Sequence, residues 1–311
     1  MNPGLLRAAT RSSPLAKWQT VHVGQLLSDA LPESRSELVC VDTLGDRTQA
    51  IGTPLHMIGG QGVFVKEVQA AVLDGLADFA VHSAKDLPSG PTPGLTIVAV
   101  PERGDARDVL VGRALAQIPH GGSVATGSVR RRALLSAVRP DLVFSELRGN
   151  INTRLEKAKG FDAIVMAMAS LQRLELTDHI AEVLSPHRML PMVGQGAIAV
   201  ECRSDDDRVI EALRLINNPD AFAALAAERA FLFELGSGCD LPVAALAVPY
   251  ETIGLTAGDG PTEFSLDALV ASPDGRKVIR FDSSGFDPVA LGRFVAAEIL
   301  RQGGGELLRK Q

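Results

Sequence analysis

Through residue 216 the chain alternates short apolar runs with stretches of helical spacing. Two polar crossings that carry glycine and proline interrupt the alternation. Strand–helix alternation builds a parallel or mixed sheet with helices on its faces. Two breaks make two such units, joined by two crossings, with a cleft between them that can open and close. The first unit reads as a strand at Leu5–Ala9, a helix opened by Ser13-Pro14, a strand at Glu37–Val41 and a helical stretch at Val63–Leu76. Strands at Phe79–His82 and Leu95–Val100 complete it, and Pro101-Glu102-Arg103-Gly104-Asp105 is the first crossing. The second unit has strands at Ser123–Thr126, Leu142–Leu147 and Ala163–Met166, with helices at Arg130–Val138, Ile151–Lys159 and Ala169–Leu174. Met189–Gly196 is the second crossing, followed by a strand at Ile198–Cys202 and a helix at Asp205–Ile216.

From Asn217 the order becomes helix, strands, helix. The elements are Ala221–Leu235, then Val243–Val248, Phe264–Val270 and Lys277–Phe281, then Val289–Leu300 with a stop at Gly303-Gly304-Gly305. The expected architecture is α/β: two lobes with a hinged cleft plus a small α+β C-terminal domain. Domain 1 takes residues 1–101 and 197–216, domain 2 takes 104–191, and domain 3 takes 217–311.

Composition removes several classes. Lys plus Arg is 31 against 37 for Asp plus Glu, a net charge of −6, which argues against a nucleic-acid partner. Aromatics at 4% leave little for base stacking. Cys40, Cys202 and Cys239 form no close pair, so a disulfide scaffold and a CxxC zinc site are excluded, and a reducing, cytoplasmic location fits. No metal site is expected, since the histidines show no HxxxH spacing. No apolar run reaches the roughly 18 residues of a membrane span, so no membrane partner is expected. Arg7, Arg11 and Lys17 ahead of the first acidic residue, Asp29, faintly imitate a transit peptide, but a strand and a capped helix account for the same residues.

Three features carry chemistry. Phe79-Ala80-Val81-His82-Ser83-Ala84-Lys85-Asp86-Leu87-Pro88 is a buried strand running into a charged turn. Ligands of open α/β sheets sit at the carboxyl ends of strands, which would point Lys85 and Asp86 into the cleft. On this segment alone an ordinary surface turn reads equally well. Arginine is the second feature. Arg130-Arg131-Arg132 opens a helix after Ala125-Thr126-Gly127-Ser128, and Arg11, Arg148, Arg154 and Arg173 also lie near strand–helix junctions. Helix N-termini and guanidinium forks both bind anions, and the repetition favours a polyanionic ligand over solvated helix starts. The third is Cys239, in Gly236-Ser237-Gly238-Cys239-Asp240-Leu241-Pro242, a loop with close backbone access. It reads as a reachable thiol, or as a turn cysteine without a role. Cys40 and Cys202 read as packing cysteines. Gly194-Gln195-Gly196 with Ala199 fits a loose dinucleotide pattern, but a strand follows it, so a hinge is the better reading.

Together these segments resemble the hydroxymethylbilane synthase (porphobilinogen deaminase) family over nearly the whole chain, from Leu6-Arg7-Ala8-Ala9-Thr10-Arg11-Ser12-Ser13-Pro14 to the C-terminal helix. The strongest matches are Val81–Pro88, Ser128-Val129-Arg130-Arg131, Leu147-Arg148-Gly149-Asn150, Thr153-Arg154-Leu155 and Gly194-Gln195-Gly196-Ala197, with Gly238-Cys239 before Leu241-Pro242. The resemblance implies two lobes like those of periplasmic binding proteins and a third domain bearing the cysteine loop. It implies a dipyrromethane cofactor thioether-linked at Cys239, onto which porphobilinogen is deaminated and condensed until hydrolysis frees the linear tetrapyrrole hydroxymethylbilane, a haem precursor. Loss of ammonia leaves an electron-poor azafulvene with positive charge on the pyrrole nitrogen, which a carboxylate stabilises; Asp86 is the candidate. Each ring carries an acetate and a propionate. By the same resemblance Arg11, Arg130, Arg131, Arg148, Arg154 and Arg173 bind them, with Ser13, Lys85, Thr126, Ser128 and Gln195 assisting. A monomer with porphobilinogen as its small-molecule partner is expected.

This chain departs from the family at Leu44, where arginine is frequent, and at Met57 and Gln61 of the lid loop, where lysines are common. It also departs at Glu234, where arginine is frequent. Each change removes positive charge or adds negative charge around the expected site. A non-catalytic two-lobed anion-binding protein would explain the lobes and the arginines, but not Asp86 beside an accessible Cys239. A dinucleotide enzyme ranks third. Protein made in a porphobilinogen-competent host is expected to exceed its sequence mass by a dipyrrole unit. Cys239→Ser loses that increment, while Cys40→Ser and Cys202→Ser keep it; intact-mass spectrometry makes the comparison.

Overall fold

A computed structural model describes residues 4–45, 62, 64–236, 241–250 and 262–308. β1 (Leu5–Arg11) leads into α1 (Pro14–Ala30), whose start follows from its sequence: Ser13 Oγ accepts from Ala16 N at 3.3 Å and proline occupies the first turn. β2 (Arg35–Val41), α2 (Lys66–Leu73), β3 (Phe79–Ser83) and β4 (Leu95–Ala99) follow. β1 runs parallel to β2 on one side and to β3 on the other.

The chain then crosses to a second sheet. This comprises β5 (Asp108–Gly112), β6 (Ser123–Ala125), α3 (Val129–Val138), β7 (Val143–Ser145), α4 (Ile151–Ala158), β8 (Ala163–Ala167), α5 (Met168–Arg173) and β9 (Ile180–Val183). It returns as β10 (Ile198–Arg203) and α6 (Asp207–Arg214). The strand orders are β2-β1-β3-β10-β4 and β7-β6-β8-β5-β9. In each sheet the strand that follows a crossing is inserted antiparallel beside the parallel trio: β10 between β3 and β4, and β5 between β8 and β9. The first lobe is therefore completed by a strand that returns to it from the second.

Both sheets bury apolar side chains on both faces, as sheets covered by helices do. In the first lobe Leu6, Leu27, Phe79 and Leu213 fill one face and Val68, Val72 and Ala80 the other. In the second, Leu110, Leu135 and Val165 oppose Val109, Ile164 and Leu171. The C-terminal domain packs α7 (Pro219–Glu234) and α8 (Pro288–Arg301) on the antiparallel sheet β11-β12-β13 (Val243–Pro249, Phe264–Ala271, Val278–Gly285), around Phe231, Leu266 and Val295. The other face of that sheet joins the second lobe's core through Ala244, Leu269 and Ala271.

The structure differs from the sequence reading in several places. β5 and β9 have no counterpart in it, because one opens on an acid and the other interrupts its apolar run with Glu182. α2 begins at Lys66, not Val63. β13 runs on through Asp282-Ser283-Ser284, since it is held by its ladder to β12 more than by burial. Gly303 ends α8, but Gly304–Leu308 resumes as α9 and packs Leu307 and Leu308 on the C-terminal core. Cys40 is exposed on β2, so it is not a packing cysteine; Cys202 is buried, and burial pushes its thiol up to about 12. No described helix is long and apolar enough to cross a membrane, and no described cluster of His, Cys, Asp and Glu could hold a metal.

α8 approaches α7 closely at Gly292, where an added Cβ would overlap Ala227 O and lie 2.8 Å from Phe231 N. Gly292→Ala is expected to cost about 1–3 kcal/mol by forcing the helices apart. Gly305→Ala, whose Cβ would meet only Leu300 Cδ2 at 3.5 Å, leaves the thermal midpoint unchanged.

Candidate active site

The carboxyl ends of β1 and β3 in one lobe face α3, α4 and α5 of the other across a solvent-open cleft of about 1130 Å³. The first lobe contributes Arg11 from the end of β1, Ser13 from the cap of α1, and Lys85 and Asp86 from the turn after β3. That turn is a single tight one, Ala84–Asp86, closed by Leu87 N donating to Ala84 O at 3.3 Å. The second lobe contributes Arg131 from the first turn of α3, the Gly149–Asn152 backbone and Arg154 from α4. The second crossing passes directly behind the Lys85 turn. A Cβ at Gly194 (φ 71°) would lie 2.9 Å from Lys85 N, so only glycine fits there. Gly196 (φ 86°) accepts from Gly104 N at 3.1 Å, which ties the two crossings together; this is hinge geometry.

The cleft holds more cationic than anionic charge. Arg11, Lys85, Arg131 and Arg154 line it, against Asp86 alone among the carboxylates of the described lining residues. Burial and the Arg131 charge push the Lys85 amine down to about 8, only partly opposed by Asp86 and Asp108. Burial and the neighbouring Arg131 and Arg148 bring Arg154 down to about 10. Its Nε donates to Gly149 O at 2.8 Å. The Arg11 guanidinium stacks 4.1 Å above the Phe64 ring. Like charges gathered in a low-dielectric cleft repel one another unless an anion joins them.

Arg131 is aimed by a group that sequence reasoning missed. The fully buried Asp108 carboxylate accepts from Arg131 Nη2 at 2.7 Å, from Arg130 Nη2 at 2.7 Å and from Gln195 Nε2 at 2.9 Å. Burial alone would push this carboxyl up, but Arg130 and Arg131 together hold it down to about 2. The remaining donors are also used: Arg131 Nη1 donates to Val165 O at 2.9 Å and Arg130 Nη1 to Leu190 O at 2.6 Å.

Thus Arg11, Ser13, Lys85, Asp86, Arg131 and Arg154 line the cleft, while Thr126, Ser128, Arg130, Arg148, Arg173 and Gln195 lie outside its lining. Arg130 is buried beneath α3, with its guanidinium donating to Asp108 and Leu190 O. Thr126 and Ser128 instead shape the start of α3. Thr126 Oγ1 accepts from Ser128 N at 3.2 Å, and Ser128 Oγ from Arg131 N at 3.4 Å. Gln195 bridges the second crossing to Ala106 O and Asp108. Arg148 lies 3.6 Å from Glu146, with its Nε buried and unpartnered. Arg173 donates to Gly196 O at 2.7 Å beneath the Trp18 ring, and burial lowers it to about 10. Cys239, Met57 and Gln61 lie outside the described residues; Leu44 and Glu234 are exposed. The missed Asp108 had one signal: an acid directly ahead of Val109-Leu110-Val111, a place a buried strand tolerates only with a partner.

Asp108→Ala leaves two buried arginines without their carboxylate and is expected to destabilise the fold by about 3–5 kcal/mol, read from the urea midpoint. The folded-state pKa of Asp108 lies below its unfolded value, so its contribution is full above the unfolded pKa and is lost as pH falls toward about 2. Asp108→Asn should therefore flatten the acid limb of the stability curve.

Residues 6–211 match the family model "Porphobilinogen deaminase, dipyromethane cofactor binding domain", and residues 222–301 match "Porphobilinogen deaminase, C-terminal domain". A porphobilinogen deaminase of Syntrophomonas wolfei is 44% identical over 310 residues, 97% of each chain. That of Brevibacillus brevis is 41% identical, over 98% of this chain and 97% of its own. Among solved structures, the Bordetella pertussis BvgS periplasmic VFT2 domain aligns at 19% identity with a TM-score of 0.41, over 74% of this chain and 93% of its own. With both family domains matched in order and such identity sustained end to end, the chain belongs to the porphobilinogen deaminase family, transferases that assemble hydroxymethylbilane from porphobilinogen on a dipyrromethane cofactor.

Proposed function

We propose that the interlobe cleft is where this chain holds its primer and condenses porphobilinogen, with Asp86 as the catalytic carboxylate and Cys239 as the attachment point. The observation that carries this reading is the excess of buried cationic charge around one lining carboxylate. A dipyrromethane bears several carboxylates on a flat apolar body, and Arg11, Lys85, Arg131 and Arg154 suit such a polyanion. The buried, unpartnered Arg148 Nε offers a further donor. When bound, the group supplies the free pyrrole carbon to which each new ring is joined.

The chain's own residues do the rest. Lys85, with its pKa near 8, is mostly charged at neutral pH and holds a carboxylate beside Asp86. The Asp86 carboxylate faces the substrate's pyrrole nitrogen, stabilises positive charge there as ammonia leaves, and moves protons to and from that ring. Ser13, Arg11 and Arg154 orient the acetate and propionate arms. Arg173, resting on Gly196 O at the second crossing, becomes available to a longer chain when the hinge moves. Arg130, Gln195, Thr126 and Ser128 act indirectly, by fixing Arg131. In this reading domain 1 (1–101 and 197–216) bears Asp86, domain 2 (104–191) bears most of the arginines, and domain 3 (217–311) bears the cysteine. The enzyme works as a cytoplasmic monomer, which light scattering and cell fractionation check; the free Cys40 and Cys202 suit a reducing compartment.

Asp86→Asn is expected to fold and still carry the cofactor by intact mass, while turnover falls at least about a hundredfold, near 3 kcal/mol for a lost electrostatic stabiliser. Asp86→Glu, which keeps the charge and shifts it, is milder. Near-normal turnover in Asp86→Asn would remove the catalytic role.

A further inference from the structure

Behind the Asp86 turn the structure has a second cavity, about 1100 Å³ and open to solvent, between the first lobe and the C-terminal domain. One wall is the segment that continues from the turn, Leu87-Pro88-Ser89-Gly90-Pro91-Thr92, with Leu95 and Ile97 of β4. The other wall is α7, through Arg229, Ala230 and Phe233, with Val289 and Arg293 of α8. Phe233 is 53% exposed, a large aromatic face turned to this space without a buried seat.

The charges are the informative part. Most arginines of this chain are paired with carboxylates, among them Arg7, Arg103, Arg139, Arg203 and Arg280. Arg229 and Arg293 line the cavity and have no ion pair among the described residues. Arg229 makes one long hydrogen bond, Nη2 to Ser89 O at 3.4 Å, and burial lowers its pKa, opposed by the Glu201 charge across the cavity. Glu201, at the same cavity, is engaged elsewhere: it accepts from Gln69 Nε2 at 2.9 Å and lies 3.4 Å from His82 Nε2. Two guanidinium groups without an ion pair among the described residues, Arg229 half-buried and Arg293 exposed at the rim, lie beside proline, leucine and phenylalanine surfaces with Ser89, Thr92 and Thr96 at hand, and fit an anionic head on a flat apolar body.

We propose that this cavity is a binding site for a small carboxylate-bearing aromatic or pyrrolic ring, separate from the catalytic cleft, with Arg229 and Arg293 taking the carboxylate and Phe233 stacking on the ring. Its occupant would join the segment leaving Asp86 to the helix that ends at Glu234, shortly before Cys239. A second link to the cleft runs through Glu201 and His82, because His82 lines the cleft itself. The inference rests on the cavity and its charges, and holds whatever role Asp86 has.

The test uses holoenzyme and indole-3-acetate as the probe, followed by titration calorimetry. Saturable binding is expected in the wild type. Arg229→Leu should weaken it at least about tenfold, the order of one lost charge-assisted contact. Arg229→Lys should recover part of the loss. Thr96→Trp fills the cavity while keeping both arginines and should also abolish binding, so the test survives if Arg229→Leu fails to fold. All three variants keep their turnover of porphobilinogen. A second kinetic phase at high porphobilinogen, present in the wild type and lost in Thr96→Trp, identifies the substrate itself as the natural occupant; probe binding without that phase identifies an unrelated aromatic acid. No probe binding to the wild type, or equal affinity in the wild type and Thr96→Trp, overturns the proposal.

Discussion

The buried carboxylate of Asp108 holds the start of the second lobe's first helix in register with the second crossing. It anchors Arg130 and Arg131 from α3 and receives Gln195 from the second crossing, so one side chain ties the second lobe's first helix to the hinge. A buried ion triad is expensive to desolvate, and an apolar replacement could be as stable. Its value here is positional: Arg131 is fixed at the cleft wall with its Nε and Nη2 donating to Asp108 and its Nη1 to Val165 O. A sister group works beside it. Glu228 of α7, fully buried, accepts from Arg103 of the first crossing, from Gly194 N of the second at 2.7 Å and from Ala247 N of the C-terminal sheet at 2.9 Å. Both crossings are thus pinned by carboxylates supplied from elsewhere in the chain.

This rigidity matters because the cleft is under electrostatic strain. Lys85 and Arg154 are depressed by burial and by their cationic neighbours, so the folded protein holds repulsion that an anionic occupant relieves. A ligand that binds only the folded state adds its binding free energy to stability. A form holding a polyanion in the cleft should accordingly resist unfolding better than one without it.

The alternation of strands and helices, the two crossings and the change of pattern after Asn217 were legible in the sequence because they depend on local periodicity and on turn chemistry. So was the meeting of Lys85, Asp86 and several arginines in one place, since strand ends and helix starts dictate where such side chains point. Asp108 and Phe64 were not legible in the same way. Their roles depend on which distant segments pack against them: Arg130 and Gln195 are far from Asp108 in sequence, and Arg11 far from Phe64. The six arginines also look alike in sequence, although Arg130 is committed to the interior while Arg131, its neighbour, reaches the cleft. Helix phase decides this, because adjacent residues leave a helix about 100° apart.

The return of β10 to the first lobe bears on how the chain can be made. The first sheet lacks β10 until residue 203 has been synthesised, and without it β4 has no partner and β3 presents an open edge. An N-terminal lobe emerging from a ribosome therefore waits, incomplete, while the whole second lobe is translated. Domain-by-domain folding in order of synthesis is unavailable to the first lobe. The second lobe, whose strands are contiguous from β5 to β9, can close first and then return the chain to finish its predecessor. Long-range pairing of this kind is slow to form. Until it forms, the edge of β3, whose residues lead directly to the Lys85–Asp86 turn, is the part of the nascent chain most in need of protection from other chains.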